Sequence, residues 1–175
     1  METFRVASRS EAETRCFGRL LGLALTPGVT VLLSGNLGAG KTAFVKGVGD
    51  ALSLTCVRSP SFTLINEYRA ERFLLAHADL YRLDEDGVEE LGLEEYVGTE
   101  DAVLMVEWPE RWRFPPETDV LDVALNVLGE EERVLEVRAY GKKAEAAAVA
   151  MRAAAVEKCP DAEFLERQER EEEPR

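Results

Sequence analysis

The apolar residues of this chain follow two different periods, which separate its strands from its helices. Short apolar or alternating runs rich in β-branched residues are typical of strands, whereas recurrence every three to four residues predicts an amphipathic helix. The first pattern predicts strands over residues 4–7, 29–33, 63–68, 73–79, 102–106, 120–127 and 133–139. The second predicts helices over 43–52 and 142–156, one or two short helices over 88–96, and a first helix from the capping box Ser10-x-x-Glu13 to Thr26-Pro27-Gly28.

Two pairs of predicted strands have the spacing of β-hairpins. The strands 63–68 and 73–79 flank four charged or small residues, and 120–127 and 133–139 flank a Gly-Glu-Glu turn. A hairpin within an otherwise α/β chain makes the sheet mixed. We therefore expect a mixed sheet flanked by helices, with residues 4–7 as an edge strand and the second hairpin extending the sheet at one edge.

The segment Gly35–Thr42, GNLGAGKT, joins a predicted strand to a predicted helix and fits the phosphate-loop pattern G-x-x-x-x-G-K-[ST]. Its glycines let successive amides point at a phosphate chain, and the helix N-terminus adds unpaired donors. Lys41 is expected to contact the β- and γ-phosphates and the Thr42 hydroxyl to bind Mg²⁺. The remaining loop residues expected at the nucleotide are Asn36, Leu37, Gly38, Ala39 and Gly40. A chance glycine-rich turn is the alternative, but the flanking strand and helix favour a P-loop NTPase-like, three-layer α/β fold.

Two predicted strands end in a carboxylate at the sheet edge where α/β proteins bind ligands. Glu107 follows the apolar run 102–106, and its carboxylate is expected to meet Mg²⁺ beside Thr42. Asp79 is a candidate to hold a metal-bound water or to orient the attacking one. His77 shares the face of Asp79, and a structural role is the simpler interpretation of this single histidine.

The segment Cys56–Thr63 is polar, with one proline and three hydroxyl residues, and predicts a loop. It lies between the phosphate-loop helix and the next strand, the position of a switch segment in a nucleotide hydrolase. Ser61 or Thr63 is therefore a candidate to approach the γ-phosphate or the metal. A hydroxyl-rich turn without such a role is the alternative.

Composition limits the partners of the protein. The 34 acidic and 21 basic residues give a net charge of −13, which argues against direct nucleic-acid binding, so that any RNA involved should be held by another protein. Three cysteines without a C-x-x-C pair favour a reduced, cytoplasmic protein, and neither a secretory signal nor a membrane span is expected. The length of 175 residues suits one domain, predicted over 1–158 and followed by an acidic tail over 159–175 that is expected to be mobile. Pro115–Thr118 is predicted to form a turn within that domain.

Four signatures in a fixed order resemble one family, the small bacterial ATPases of tRNA threonylcarbamoyladenosine biosynthesis (TsaE, formerly YjeE). They are Gly35–Thr42, Ser59-Pro60-Ser61-Phe62-Thr63-Leu64, His77-Ala78-Asp79-Leu80-Tyr81-Arg82-Leu83 and Val106-Glu107-Trp108-Pro109. The resemblance runs from about Ser8 to Tyr140. Ser61 and Ala43 stand where the family usually has threonine, and Ser61 keeps the hydroxyl.

The resemblance implies a Mg²⁺-dependent ATPase that supports t(6)A37 modification as an accessory subunit. Its implied partners are the threonylcarbamoyl transferase subunit and a non-catalytic paralogue, a TsaD–TsaB-like pair. Residues implied at the site are Lys41, Asp79 and Glu107 for catalysis, Thr42 and Glu107 for Mg²⁺, Trp108 close by, and Glu11 and Arg133 near the adenine. No obvious arginine finger is present, so we expect slow hydrolysis by the isolated chain and faster turnover when partners order residues 59–64.

Two other functions fit a phosphate loop. A small-molecule kinase needs an acceptor pocket and an arginine-bearing lid, for which Arg111 and Arg113 near Trp112 are the candidates. A nucleotide-gated binding module needs no useful hydrolysis. A guanine-specific switch is disfavoured, because no Asn-Lys-x-Asp follows the loop.

Overall fold

The computed structural model describes residues 1–113, 119–159 and 162–165, so the predicted Pro115–Thr118 turn lies outside the described residues. In chain order the strands are β1 (Glu2–Ser8), β2 (Val29–Ser34), β3 (Ile65–Arg69), β4 (Leu74–Asp79), β5 (Ala102–Glu107), β6 (Asp119–Val127), β7 (Arg133–Tyr140) and β8 (Phe164–Leu165). The helices are α1 (Glu11–Ala24), α2 (Lys41–Ala51), α3 (Glu85–Glu89) and α4 (Lys142–Lys158), with 3-10 turns at Leu93–Glu95 and Pro109–Arg111.

These strands form one mixed sheet in the order β3-β4-β5-β2-β6-β7-β1-β8. The four central strands β4, β5, β2 and β6 are parallel. Both predicted hairpins are confirmed, since β3 pairs with β4 and β6 pairs with β7 in antiparallel fashion. Because parallel strands direct their carboxyl ends to one edge, the segments that follow β2, β4 and β5 emerge together.

Two predicted positions in the sheet are wrong. The N-terminal strand is not at the edge, because β1 pairs with β7 on one side and β8 on the other. The second hairpin is not at the edge either, because β6 pairs with β2 and β7 pairs with β1.

The last strand falls within the segment predicted as a mobile tail. Phe164 and Leu165 pair with Val6 and Arg5, and the Phe164 ring packs against Phe4 with 5.9 Å between centroids. This part of 159–175 therefore belongs to the sheet. Residues 166–175 lie outside the described ranges.

Helix α1 begins as the capping-box pattern predicts. The Ser10 hydroxyl accepts a hydrogen bond from the Glu13 amide at 3.1 Å, and the Glu13 carboxylate accepts one from the Arg9 amide at 2.7 Å. The second bond comes from the residue before the N-cap rather than from the N-cap itself. The helix ends at Ala24, where Leu25 turns to an extended conformation ahead of Thr26 and Pro27.

Helices α1 and α2 lie unusually close to each other because glycines face the contact. A methyl group on Gly18 would lie 2.0 Å from the Phe44 carbonyl oxygen, and one on Gly47 would lie 2.0 Å from the Arg15 carbonyl oxygen. Neither position has room for a side chain. The contact fixes α2, and with it the phosphate loop, beside the first turn of α1.

The apolar core has two parts on opposite faces of the sheet. Residues alternate between faces along a strand, and Leu75, Val103 and Met105 belong to the larger cluster with α1, α2 and α4. Ala76, Leu104 and Val106 belong to the smaller cluster, together with Val88 of α3 and Trp112. The fold thus has three layers, as predicted. In the parts of the chain that the structure describes, no helix has the length and apolarity needed to cross a membrane.

Candidate nucleotide and metal site

The phosphate loop leaves β2 and enters α2 with the backbone that its glycines allow. Gly40 is the N-cap of α2 and has a φ of 107°, and no side chain caps the helix there. A methyl group on Gly35, whose φ is 135°, would lie 2.5 Å from the Leu125 carbonyl oxygen. The loop is therefore a turn that needs glycine, and it presents the uncapped N-terminus of α2, which suits an anion.

Lys41 lies inside this loop and is only 4% exposed. Its ammonium donates to the carbonyl oxygens of Gly35 at 2.6 Å and Asn36 at 3.1 Å, and lies 3.9 Å from the centroid of the Trp108 ring. Burial lowers the pKa of Lys41, and the carboxylates of Glu107 and Asp79 act in the opposite direction. The Lys41 ammonium therefore lies inside the phosphate loop, against two backbone carbonyls and an aromatic face.

Thr42 and Glu107 meet at the end of the central strands. The Thr42 hydroxyl donates to Glu107 Oε1 at 3.2 Å, with Oε2 at 3.5 Å. Glu107 is 3% exposed, and the sheet register aligns it with Leu33 at the end of β2 and with Asp79 at the end of β4. A hydroxyl and a carboxylate are oxygen donors that Mg²⁺ accepts, with phosphate and water completing its octahedron. This donor set fits the predicted Mg²⁺ site.

His77 also contacts Glu107. Its Nε2 lies 2.9 Å from Glu107 Oε1 in a fully buried setting, while Nδ1 has no hydrogen-bond partner among the described residues. The sequence favoured a structural role for this histidine and left a chemical role as the alternative. The single signal for the contact was the shared face of His77 and Asp79 on one strand.

Asp79 binds the segment that the sequence identified as a possible switch. Asp79 Oδ2 accepts hydrogen bonds from the hydroxyls of Ser59 at 3.2 Å and Ser61 at 3.0 Å, and Oδ1 accepts one from the Tyr81 amide at 3.1 Å. Thr63 is directed elsewhere, since its hydroxyl donates to Asn66 Oδ1 at 2.7 Å. Of the two candidate hydroxyls, only Ser61 lines the site.

A cavity of about 500 Å³ joins these groups. The predicted residues that line it are Glu11, Leu37, Gly38, Ala39, Gly40, Lys41, Thr42, Ser61, Asp79, Glu107 and Trp108. Sequence reasoning missed Lys46 and Tyr81, which also line the cavity. Lys46 follows Thr42 by one helical turn, a signal that could have placed it on the same face.

Two predicted nucleotide residues do not line the cavity. Asn36 contributes its backbone carbonyl to Lys41. Arg133 is buried behind the loop, where its Nε would lie 3.7 Å from a methyl group on Gly40 and has no hydrogen-bond partner in the described ranges. Its Nη1 donates to the Glu131 carbonyl oxygen at 2.7 Å.

The arginines that a kinase lid would require are also elsewhere. Arg111 donates to the Leu83 carbonyl oxygen at 2.7 Å, and Arg113 pairs with Glu85 at 3.0 Å on an exposed surface. Neither lines the cavity. This placement disfavours the kinase alternative.

Comparisons with known proteins identify the family and the fold of this chain. The family model described as "Threonylcarbamoyl adenosine biosynthesis protein TsaE" matches residues 8–135. Proteins of the same name from Nostoc sp. and Bacillus subtilis are 45% and 37% identical to this chain, over 70% and 76% of its length and 78% and 84% of theirs. The crystal structure of YdiB from Bacillus subtilis superposes with a TM-score of 0.72 at 29% identity, covering 87% of this chain and 96% of that one. The matched residues 8–135 include the phosphate loop, the serine loop (residues 59–64) that follows α2, and the strands that end in Asp79 and Glu107, and the chain therefore belongs to the TsaE family of tRNA threonylcarbamoyladenosine biosynthesis proteins.

Proposed function

We propose that this protein binds ATP and Mg²⁺ between the phosphate loop and Glu107 and hydrolyses ATP in support of t(6)A37 modification of tRNA. The observation that carries the proposal is the convergence of Lys41, Thr42 and Glu107 on one cavity at the carboxyl ends of β2 and β5. The family names the pathway. Lys41, Thr42 and Glu107 suit phosphoryl transfer, because that reaction depends mainly on positioning and charge.

Each residue of the site has a role that its contacts support. Lys41 exchanges its bonds to the Gly35 and Asn36 carbonyls for β- and γ-phosphate oxygens, while the loop amides hold the phosphate chain. Thr42 and Glu107 would hold Mg²⁺ through the hydroxyl and carboxylate, whose nearest oxygens lie 3.2 Å apart. Bound Mg²⁺ supplies positive charge that neutralises the phosphates.

Asp79 connects the cavity to the serine loop. By accepting hydrogen bonds from Ser59 and Ser61 it holds their loop beside the cavity, and its carboxylate, which lines the cavity, is the group proposed to orient the attacking water. The adenine is proposed to lie at the Glu11 side of the loop, with Arg133 supporting the loop from behind Gly40.

The proposed partners are the threonylcarbamoyl transferase subunit and its non-catalytic paralogue, a TsaD–TsaB-like pair that acts in the cytoplasm. A net charge of −13 suits an accessory subunit that leaves tRNA binding to other proteins. Residues 1–158 form the proposed ATPase domain, extended by the short β8 strand. Hydrolysis by the isolated chain is proposed to be slow, because the sequence has no obvious arginine finger, and faster when partners hold residues 59–64 in a productive conformation.

Titration calorimetry with ATP, ADP and GTP, in Mg²⁺ and in EDTA, tests the binding step. We expect ATP and ADP to bind, with Mg²⁺ strengthening ATP binding, and an absence of nucleotide binding would end the proposal. Phosphate release is then measured with and without the two partners. A nucleotide-gated module would bind partners in ATP without hydrolysis, whereas Glu107→Gln should abolish turnover in an ATPase.

A further inference from the structure

Burying His77 beside Glu107 costs free energy, and filling space in the core does not explain why a histidine is used there. His77 is 0% exposed, and its Nδ1 is buried without a hydrogen-bond partner among the residues described. Leaving a buried polar atom unsatisfied costs roughly 1–3 kcal/mol. A leucine at this position of β4 would fill similar space and avoid that cost. The one hydrogen bond that the ring makes within the described chain is to Glu107 Oε1 at 2.9 Å.

Glu107 is the residue that gains from this contact. Its carboxylate is 3% exposed, so water does little to fix its orientation. The Thr42 hydroxyl contacts Oε1 at 3.2 Å and Oε2 at 3.5 Å, a nearly even approach that leaves rotation of the carboxylate weakly determined. His77 contacts Oε1 alone and so distinguishes the two oxygens. His77 and Glu107 also lie on the same face of the sheet, because they are two residues from Leu75 and Met105, which both belong to the larger core cluster.

We propose that His77 is a positioning residue for the metal site: its Nε2–H donates to Glu107 Oε1 and fixes the carboxylate that binds Mg²⁺ with the nucleotide. The inference rests on the proposed function, since it concerns the Mg²⁺ that accompanies ATP. Nε2 carries the proton, because an ionised carboxylate only accepts. Partners of this kind, one step removed from the metal, typically change metal affinity by about 10–100-fold when removed.

Two variants separate this role from simple packing. His77→Leu keeps most of the volume and removes the donor, whereas His77→Gln places an amide N–H near the position of Nε2. We expect His77→Leu to weaken Mg²⁺-dependent ATP binding by about 10-fold or more while leaving ATP binding in EDTA within about 2-fold of the unmodified protein. His77→Gln should recover most of the loss. Equal loss in Mg²⁺ and EDTA, or no loss at all, would overturn the inference.

A double-mutant cycle tests whether His77 acts through Glu107. In a Glu107→Gln background the His77→Leu change should have no further effect on Mg²⁺ dependence, because the carboxylate it positions is gone. Full additivity of the two changes would contradict the proposal. If His77→Leu fails to fold, the comparison of His77→Gln with His77→Asn still decides, because the shorter asparagine keeps the polarity but cannot reach Glu107.

The tautomer can be read directly. His77 is the only histidine in the sequence, so ¹⁵N NMR of the imidazole in an untagged protein reports this ring alone. We expect a protonated Nε2, and an Nδ1–H tautomer would overturn the assignment. If the unmodified protein binds no nucleotide, the proposed function fails; if it binds ATP with Mg²⁺ and His77→Leu binds it identically, only this inference fails.

Discussion

The Ser61 hydroxyl donates to the Asp79 carboxylate over 3.0 Å, and this hydrogen bond ties the loop after α2 to the end of β4. Ser59 makes a second bond to the same oxygen at 3.2 Å, and the two hydroxyls lie 2.6 Å apart. The loop residues thus share one anchor, which is a carboxylate at the cavity. Changes in the loop and changes in the site are therefore expected to affect each other.

Removing the Ser61 hydroxyl should loosen this loop. A hydrogen bond to a charged group contributes about 1.5–3 kcal/mol, so Ser61→Ala should raise the open population of the loop about 10-fold or more. Limited trypsin digestion measures this, because the exposed Arg58 lies at the start of the loop. Ser61→Thr keeps the hydroxyl and serves as the control. Equal cleavage rates at Arg58 in the Ala and Thr variants would contradict the anchor.

Nucleotide binding should change the fluorescence of Trp108. The Lys41 ammonium lies 3.9 Å from its ring centroid, and phosphate oxygens should draw the ammonium away. The second tryptophan, Trp112, is buried and donates to Glu94, so Trp112→Phe isolates the Trp108 signal. We expect ATP to shift the emission of Trp112→Phe. The shift should disappear when Lys41→Met is added. A shift that persists would contradict the idea that movement of the Lys41 ammonium causes it.

The glycines between α1 and α2 should be intolerant of alanine. Gly18→Ala places a methyl group 2.0 Å from the Phe44 carbonyl oxygen, and overpacking of this kind typically costs about 1–3 kcal/mol or more. Urea unfolding measures the loss. Because α2 carries the phosphate loop, ATP affinity should fall as well. Gly129→Ala is the control, since a methyl group there would lie 3.8 Å from its nearest neighbour; its stability should stay within about 0.5 kcal/mol.

Two of the three cysteines, Cys56 and Cys159, should differ in reactivity. Cys159 lies 3.2 Å from Cys16 between their Sγ atoms, and burial together with that contact raises the pKa of Cys159 to about 12. At pH 8 only about 1 in 10⁴ of its thiols would be ionised. Cys56 is exposed. Iodoacetamide should therefore label Cys56 well before Cys159, as mass spectrometry of peptides can measure, and the Cys159 rate should keep rising above pH 9. Rapid labelling of Cys159 at pH 8 would contradict the raised pKa.

The sequence by itself determined the local elements and the residues whose chemistry is local. The glycine pattern of Gly35–Thr42 requires a turn with positive φ before a helix, and that turn fixes Lys41 and Thr42 wherever the loop occurs. Apolar runs that end in Asp79 and Glu107 place both carboxylates at strand ends. The Ser10 N-cap of α1 likewise depends on residues only three positions apart. All of these features follow from steric and hydrogen-bonding rules that act over a few positions.

Only the tertiary structure decided which strands are neighbours and which side chains meet across them. Strand pairing uses backbone groups that every residue except proline possesses, so the pattern of β1 or of the second hairpin does not identify its partner. The pairing of β1 with β7 and β8, and the contacts of Cys16 with Cys159 and of His77 with Glu107, all join segments distant in sequence. Such contacts depend on the final sheet order and register, and these are set by burial of the whole chain.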